Sequence, residues 1–288
     1  MPSRSREAAA STKKKRRRSP LPWILLVLVA VVGGYRLYTG YFPFQPRQSL
    51  DGQSLDGQTI SSETLSQLRE LAKEETQAKY ILKNLDDYPA NLLSLLARNS
   101  ETLDFVAGYP QHKHDTPADT VGEVTKGEFP LLMQWDMRWG YANYGDGLMA
   151  LNGCGHTALS MVICGLTGDN TITPYTVAQY ADSQGLYVDG VGTSWDLMRT
   201  GAEHFGLTAK ELPLDEGVVT RALKNGQPII CSVGPGDFTT SGHFIVLVGM
   251  EDGKIRVNDP NRHSTSSQLW DYDTLAGQIN NLWAYSLA

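Results

Sequence analysis

The C-terminal half of the sequence predicts an α+β fold, on three observations. A helix-like run, GCGHTALSMVICGLTG, opens it and is followed by further helical stretches around 174–184, 194–205 and 216–225. Strand-like runs come only afterwards: PIICSVG (228–234), HFIVLVGM (243–250) and KIRVNDP (254–260), rich in β-branched and aromatic residues. The last two flank Glu251-Asp252-Gly253, a hairpin signal. Helices first and antiparallel strands after are the α+β order.

The elements before this half read as follows. Residues 1–20 hold eight Lys or Arg and a single acid, Glu7, for +7 against −6 in the whole chain, which leaves −13 for the rest. So acidic a remainder argues against a nucleic-acid partner. Residues 21–35 contain no charged side chain, and Leu37, Tyr38, Tyr41 and Phe42 extend the run past Arg36, which can snorkel. A membrane-crossing helix needs ~20 apolar residues. With the basic flank on its N-terminal side and no small-x-small cleavage site, 21–42 is expected to be an uncleaved signal-anchor. The basic tail would then be cytoplasmic and the rest extracytoplasmic, on a single-pass protein of the cell membrane.

Residues 43–61 read as a polar linker in which SLDGQ occurs twice. Over 62–108, Leu65, Leu68, Leu71 and Ala72, then Tyr80, Ile81 and Leu85, recur at three- and four-residue steps, predicting a prefix of three or four short helices. Residues 109–127 read as a second linker, and 128–288 as the main domain.

Three cysteines are too few for a disulfide framework, and an odd number leaves at least one thiol unpaired. A cysteine attacks as its thiolate, a form favoured by a helix N-terminus and by a nearby imidazolium. Cys154 lies between Gly153 and Gly155 at the start of the helix-like run, where backbone N–H groups also suit an oxyanion. His243 opens a strand and can act as base. Asp259 follows sixteen residues later, across the hairpin. Side chains alternate faces along a strand. A three-residue or bulged turn therefore places Asp259 diagonal to His243, whereas a plain two-residue turn puts it on the wrong face. With the right parity the carboxylate orients the imidazole, completing a nucleophile–base–orienter set.

The motifs GCGHTALSM, SGHFIVLVG and VNDPN, with GTSWDLM and GPGDFTTSGHF between them, resemble the papain-like cysteine peptidases related to those that process bacteriocin double-glycine leaders. The prefix, with AKYILKNLDDYP and LLARNSETLDFV, is similar to that of membrane-anchored Gram-positive members. The resemblance spans roughly 128–288. It implies a papain-like fold, with nucleophile Cys154, general base His243 and orienting acid Asp259. Two positions depart from the family's pattern. His156 stands where Pro is common, and Leu148 stands six residues before the cysteine, where the leader-processing members have an oxyanion glutamine. Gln134, twenty residues upstream, and Asn152 are the candidate replacements.

Other residues carry less. Cys164 is turned about 80° from Cys154 on a helix and, like Cys231, is expected in the core, although a Cys164–Cys231 disulfide is left open. Cys-x-His is not a spacing of structural zinc sites, so neither metal nor other cofactor is expected. His112 and His114 read as solvated, and His204 and His263 have no evident partner. Trp135, Trp139, Trp195 and Trp270 are core residues or line a groove. The expected function is a membrane-anchored extracytoplasmic thiol peptidase acting on a peptide or protein substrate through an acyl-enzyme. A cell-wall peptide amidase, an inactive papain-like binding or scaffold domain, and an adaptor working through its prefix are the alternatives.

Overall fold

The computed structural model describes residues 53–55, 58–188 and 192–288. The expected basic tail and signal-anchor lie outside the described residues; among those described, no helix is long and apolar enough to cross a membrane.

The prefix is four helices: α1 (Ser62–Glu74), α2 (Thr76–Lys83), α3 (Ala90–Arg98) and α4 (Leu103–His112). Ser61 starts α1 as an N-cap, its Oγ accepting the Thr64 N–H at 3.1 Å. Leu68, Ala72, Ala78, Ile81, Leu92, Leu93 and Leu96 form its core, while Tyr80 points outward. Each leucine taken fully out of water contributes roughly 1.5–3 kcal/mol. The last helix runs past Gly108 to His112, so the expected prefix boundary falls four residues short.

Neither expected linker is a free tether. Gln53–Leu55 and Gln58–Ile60 pair as antiparallel strands, and Ile60 is fully buried in the prefix core. Val121 enters the core of the main domain, its N–H donating to the Asn170 carbonyl at 2.9 Å. The prefix core also includes Tyr141 and Ala150 from the main domain; Phe105 stacks on Tyr141 with ring centroids 4.3 Å apart. Residues Leu50–Ala288 accordingly form one compact unit.

In the main domain, α5 (Cys154–Thr167) is buried from Gly155 through Gly165, as expected of a helix apolar on all sides. It ends at Gly168, whose φ of 80° is a left-handed cap. Next come α6 (Pro174–Ser183), capped by Thr173, a π-turn at Leu197–Gly201 and α7 (Glu216–Lys224). The expected helical segment over 194–205 is present as that π-turn continued by a turn of α-helix, Ala202–His204.

Six strands, the first of them ahead of α7, make up the sheet: β1 (Leu207–Glu211), β2 (Ile229–Val233), β3 (His243–Glu251), β4 (Lys254–Asn258), β5 (Leu269–Trp270) and β6 (Ile279–Leu287). They form one antiparallel sheet in the order β5-β4-β3-β2-β6-β1. Strand alternation divides the core. Ile230, Phe244, Val246, Trp283 and Tyr285 pack with the α5 residues; Ile229, Cys231, Ile245, Leu247 and Val257 pack with Val219 and Leu223 of α7. Cys164 and Cys231 belong to these separate clusters and both are free thiols, so the disulfide left open does not form. Burial pushes the Cys164 thiol up to about 11, and it raises that of Cys231 as well.

Candidate active site

Cys154 is the first residue of α5 and is partly exposed. Gly153 before it has φ −88° and ψ 8°, open to any residue. Its need for glycine is spatial: a Cβ there would lie 2.5 Å from the Met149 carbonyl oxygen. At Gly155 a Cβ would meet Met198 at 3.2 Å and the Phe244 ring at 3.4 Å. The two glycines therefore let the turn before α5 and the core beneath it close tightly around the sulfur. The first N–H groups of α5, that of Cys154 included, have no carbonyl within the helix to bond.

His243 opens β3 and is buried. Its Nε2 lies 2.7 Å from Asp259 Oδ1, and Cys154 is the other group that acts on the ring. Burial alone would lower its pKa. The hydrogen bonds to Asp259 and Cys154, reinforced by their charges, outweigh burial and hold the ring well above the ordinary histidine value. Asp259 is 0 % exposed. Besides His243, its carboxylate accepts the Asn261 N–H at 2.8 Å on Oδ1 and the Thr265 hydroxyl at 2.5 Å on Oδ2. Its own N–H donates to Ser266 Oγ at 2.9 Å.

The hairpin meets the parity condition by a bulge. Glu251 pairs with Lys254 across a two-residue turn, Asp252-Gly253, whose φ angles of 50° and 80° are those of a primed turn. That register alone would misplace Asp259. Between Arg256 and Val257, however, the partner jumps from Gly249 to Leu247, skipping Val248. Asn258 then faces Val246, and Asp259 comes diagonal to His243.

The two candidate oxyanion amides are engaged to different degrees. Asn152 Nδ2 donates to the Tyr144 carbonyl at 3.2 Å and to Asp146 Oδ1 at 3.1 Å, which uses both its protons. Gln134 is 4 % exposed, and its Nε2 donates to the Ala150 carbonyl at 2.7 Å. Its backbone N–H reaches the Pro260 carbonyl at 2.7 Å, so Gln134 does lie beside the acid-bearing loop. Leu148, at the position of the leader-processing glutamine, packs against the prefix core.

His156 is fully buried, its ring edge-on to Tyr144 with centroids 4.1 Å apart. Neither ring nitrogen has a hydrogen bond of ordinary geometry; burial, only partly offset by the Gly153 carbonyl, pushes its pKa down to about 3. Two histidines that lacked an evident partner have ring neighbours: His204 stacks on Tyr180, and His263 lies edge-on to Trp135. Trp139 and Trp270 are core residues, whereas Trp195 is 47 % exposed and rests edge-on against Trp283. Thr265 and Ser266 were missed from sequence. The only signal is a cluster of hydroxyl residues, HSTSS, shortly after VNDPN.

A cysteine at the start of a buried central helix, a histidine at the start of one strand and an aspartate just past the end of its antiparallel neighbour stand as in the papain-like fold the sequence resembles. Residues 126–286, more than half of the chain, match the model of the Peptidase_C39 like family, and the chain belongs to that family. The motifs around Cys154, His243 and Asp259 lie within that match. Among solved structures, the chain is similar to the peptidase domain of Streptococcus ComA, described as a bi-functional ABC transporter involved in a quorum-sensing pathway. Identity is 16 % and the TM-score 0.40, with 56 % of this chain and 98 % of that one covered. A chain from Bacillus anthracis described as C39-like is similar at 15 % identity and a TM-score of 0.32, over 58 % of this chain and 98 % of that one. No curated protein matches.

Proposed function

We propose that this chain is a membrane-anchored, extracytoplasmic thiol peptidase with Cys154 as nucleophile, His243 as general base and acid, and Asp259 as orienting acid. The observation that carries the reading is the buried His243 ring, hydrogen-bonded to the Asp259 carboxylate and acted on by Cys154. Its raised pKa keeps the ring protonated across the neutral range, the form that accompanies a thiolate. The sulfur adds to an amide carbonyl, and the oxyanion is met by N–H groups at the start of α5. The imidazolium gives its proton to the leaving amine as the C–N bond breaks, leaving a thioester. Water, deprotonated by the now neutral His243, adds to the thioester carbonyl. The C–S bond then breaks and the product acid leaves. The basic tail and the apolar run over 21–42 support the anchored, extracytoplasmic placement. A cell-wall peptide amidase would use the same steps on a different amide.

The commitment of both Asn152 amide protons, and of one of the two on Gln134, favours one other reading, an inactive papain-like binding domain. Iodoacetamide labelling separates the two. The peptidase reading expects stoichiometric modification of Cys154 in mildly acidic buffer, lost in His243→Ala, together with peptide-library cleavage lost in Cys154→Ala. Labelling that ignores His243, or an uncleaved library, would overturn it.

A further inference from the structure

We infer that Glu101, on the helical prefix, is a positioning residue for the active site: it caps the short helix that holds Asp259. This rests on the reading of Cys154, His243 and Asp259 given above.

That helix is α8 (His263–Ser266), a single turn. A helix leaves its first N–H groups without intrahelical partners, and the residue before it ordinarily supplies a side-chain acceptor. Arg262, which holds that position, supplies none; its guanidinium donates instead to the Arg98 carbonyl at 2.7 Å. The acceptor comes from far upstream in the chain. Glu101 Oε2 accepts the His263 N–H at 2.6 Å, and Oε1 accepts that of Ser264 at 3.0 Å. Asn99 adds a hydrogen bond from Nδ2 to the Asn261 carbonyl at 2.7 Å. Residues 98–101, RNSE, thus grip 261–264 through four hydrogen bonds.

The gripped segment is the one that holds the acid. Of the three donors on the Asp259 carboxylate, the Asn261 N–H belongs to it, the Thr265 hydroxyl to the helix turn it starts, and only His243 lies elsewhere. Ser266 in the same turn accepts the Asp259 N–H. The path runs from Glu101 through the α8 amides to Thr265, Asp259 and the His243 ring. Hydrogen bonds from Ser264 and from the His263 and Ser264 amides overcome burial and hold the Glu101 carboxyl below its usual range, so it caps as the charged, stronger acceptor. The prefix is on this account a working part of the site and not a detachable pro-segment.

The test is the rate of Cys154 labelling by iodoacetamide against pH in the full-length chain, read on the Cys154 peptide by mass spectrometry, with thermal melts alongside. Glu101→Gln keeps size and loses charge. Because misplacement of about 1 Å is enough to cost a site one to two orders of magnitude, its labelling in mildly acidic buffer is expected to fall about 10-fold. The acid limb should move to higher pH, as a poorly held imidazolium supports the thiolate less. Asn99→Ala, which loses the Asn261 bond, should move both in the same direction by less. A purely structural role would lower the melting temperature and leave the pH profile of the folded protein unchanged; that result overturns the inference. His243→Ala run in parallel keeps the two claims apart. If it labels like wild type the triad reading fails, whereas His243-dependent labelling unmoved by Glu101→Gln and Asn99→Ala removes only the role of Glu101.

Discussion

Replacing His156 by leucine should make the protein less sensitive to acid without weakening it at neutrality. The buried ring is held neutral, with its pKa pushed down from 6.5 to about 3. In the unfolded chain the same ring takes up a proton below about pH 6.5. A base whose folded value is depressed contributes its full stability above the unfolded value, and loses it as pH falls toward the folded one. At ~1.4 kcal/mol per unit, protonation of the unfolded state costs roughly 3 kcal/mol by about pH 4.5, and about 5 kcal/mol once pH reaches the folded value. That is a third or more of a typical folding free energy. At pH 7 two smaller effects oppose each other. Leucine forfeits the edge-on contact with Tyr144, about 0.5–1.5 kcal/mol. It also removes two buried ring nitrogens without hydrogen bonds, each costing roughly 1–3 kcal/mol. The second effect is larger, so His156→Leu should match or exceed wild type at neutrality. Urea midpoints followed by tryptophan fluorescence at about pH 7, 5.5 and 4.5 give the comparison. Equal losses on acidification in both proteins would refute the reasoning, since they would mean that His156 does not titrate on unfolding.

Three further outcomes are expected. Asp259→Asn leaves His243 without its charged partner, so hydrolysis of a cleaved library peptide should fall about 10²-fold or more, with the alkaline limb at lower pH. An unchanged limb would mean that Asp259 does not support the imidazolium. The raised pKa of His243 also makes its ion pair stabilising below the ordinary histidine value, with that stability lost as pH rises through the folded value; the melting temperature of His243→Gln should approach that of wild type in alkaline buffer. Gly153→Ala puts a methyl group 2.5 Å from a backbone carbonyl, so it should cost about 1–3 kcal/mol in urea unfolding and slow Cys154 labelling; wild-type behaviour in both would show that the turn can give.

What was legible in the sequence is what is carried by short, local patterns. A cysteine between glycines at a helix start, a histidine at a strand start and an acid just past a hairpin each lie within one element and its neighbour. Parity alone then required an irregular turn, and the skipped Val248 supplies the irregularity. Three strands of the sheet were not legible. Leu207–Glu211 is an edge strand with Lys210 and Glu211 exposed, Leu269–Trp270 has only two residues, and Ile279–Leu287 has two asparagines straight after its first residue, so none shows clean alternation. Partners distant along the chain were illegible for a different reason. Nothing near Asp259 in sequence announces Glu101, because the bond between their segments depends on where α3 and α4 dock. The oxyanion candidates show the same limit: an amide can be counted from sequence, but not the acceptors it meets, two for Asn152 and one for Gln134.

The position of β6 in the sheet has a consequence in time. Residues Ile279–Leu287 lie in the sheet interior, between β2 and β1, and Ile279 faces Val233, which on its other side faces His243. Pairings between such distant parts of a chain form late, after the entropy of closing long loops has been spent. A ribosome that has delivered Cys154, His243 and Asp259 has still not delivered the strand that completes the sheet beside them. A nascent chain therefore carries all three residues before it carries the strand that completes the sheet beside His243.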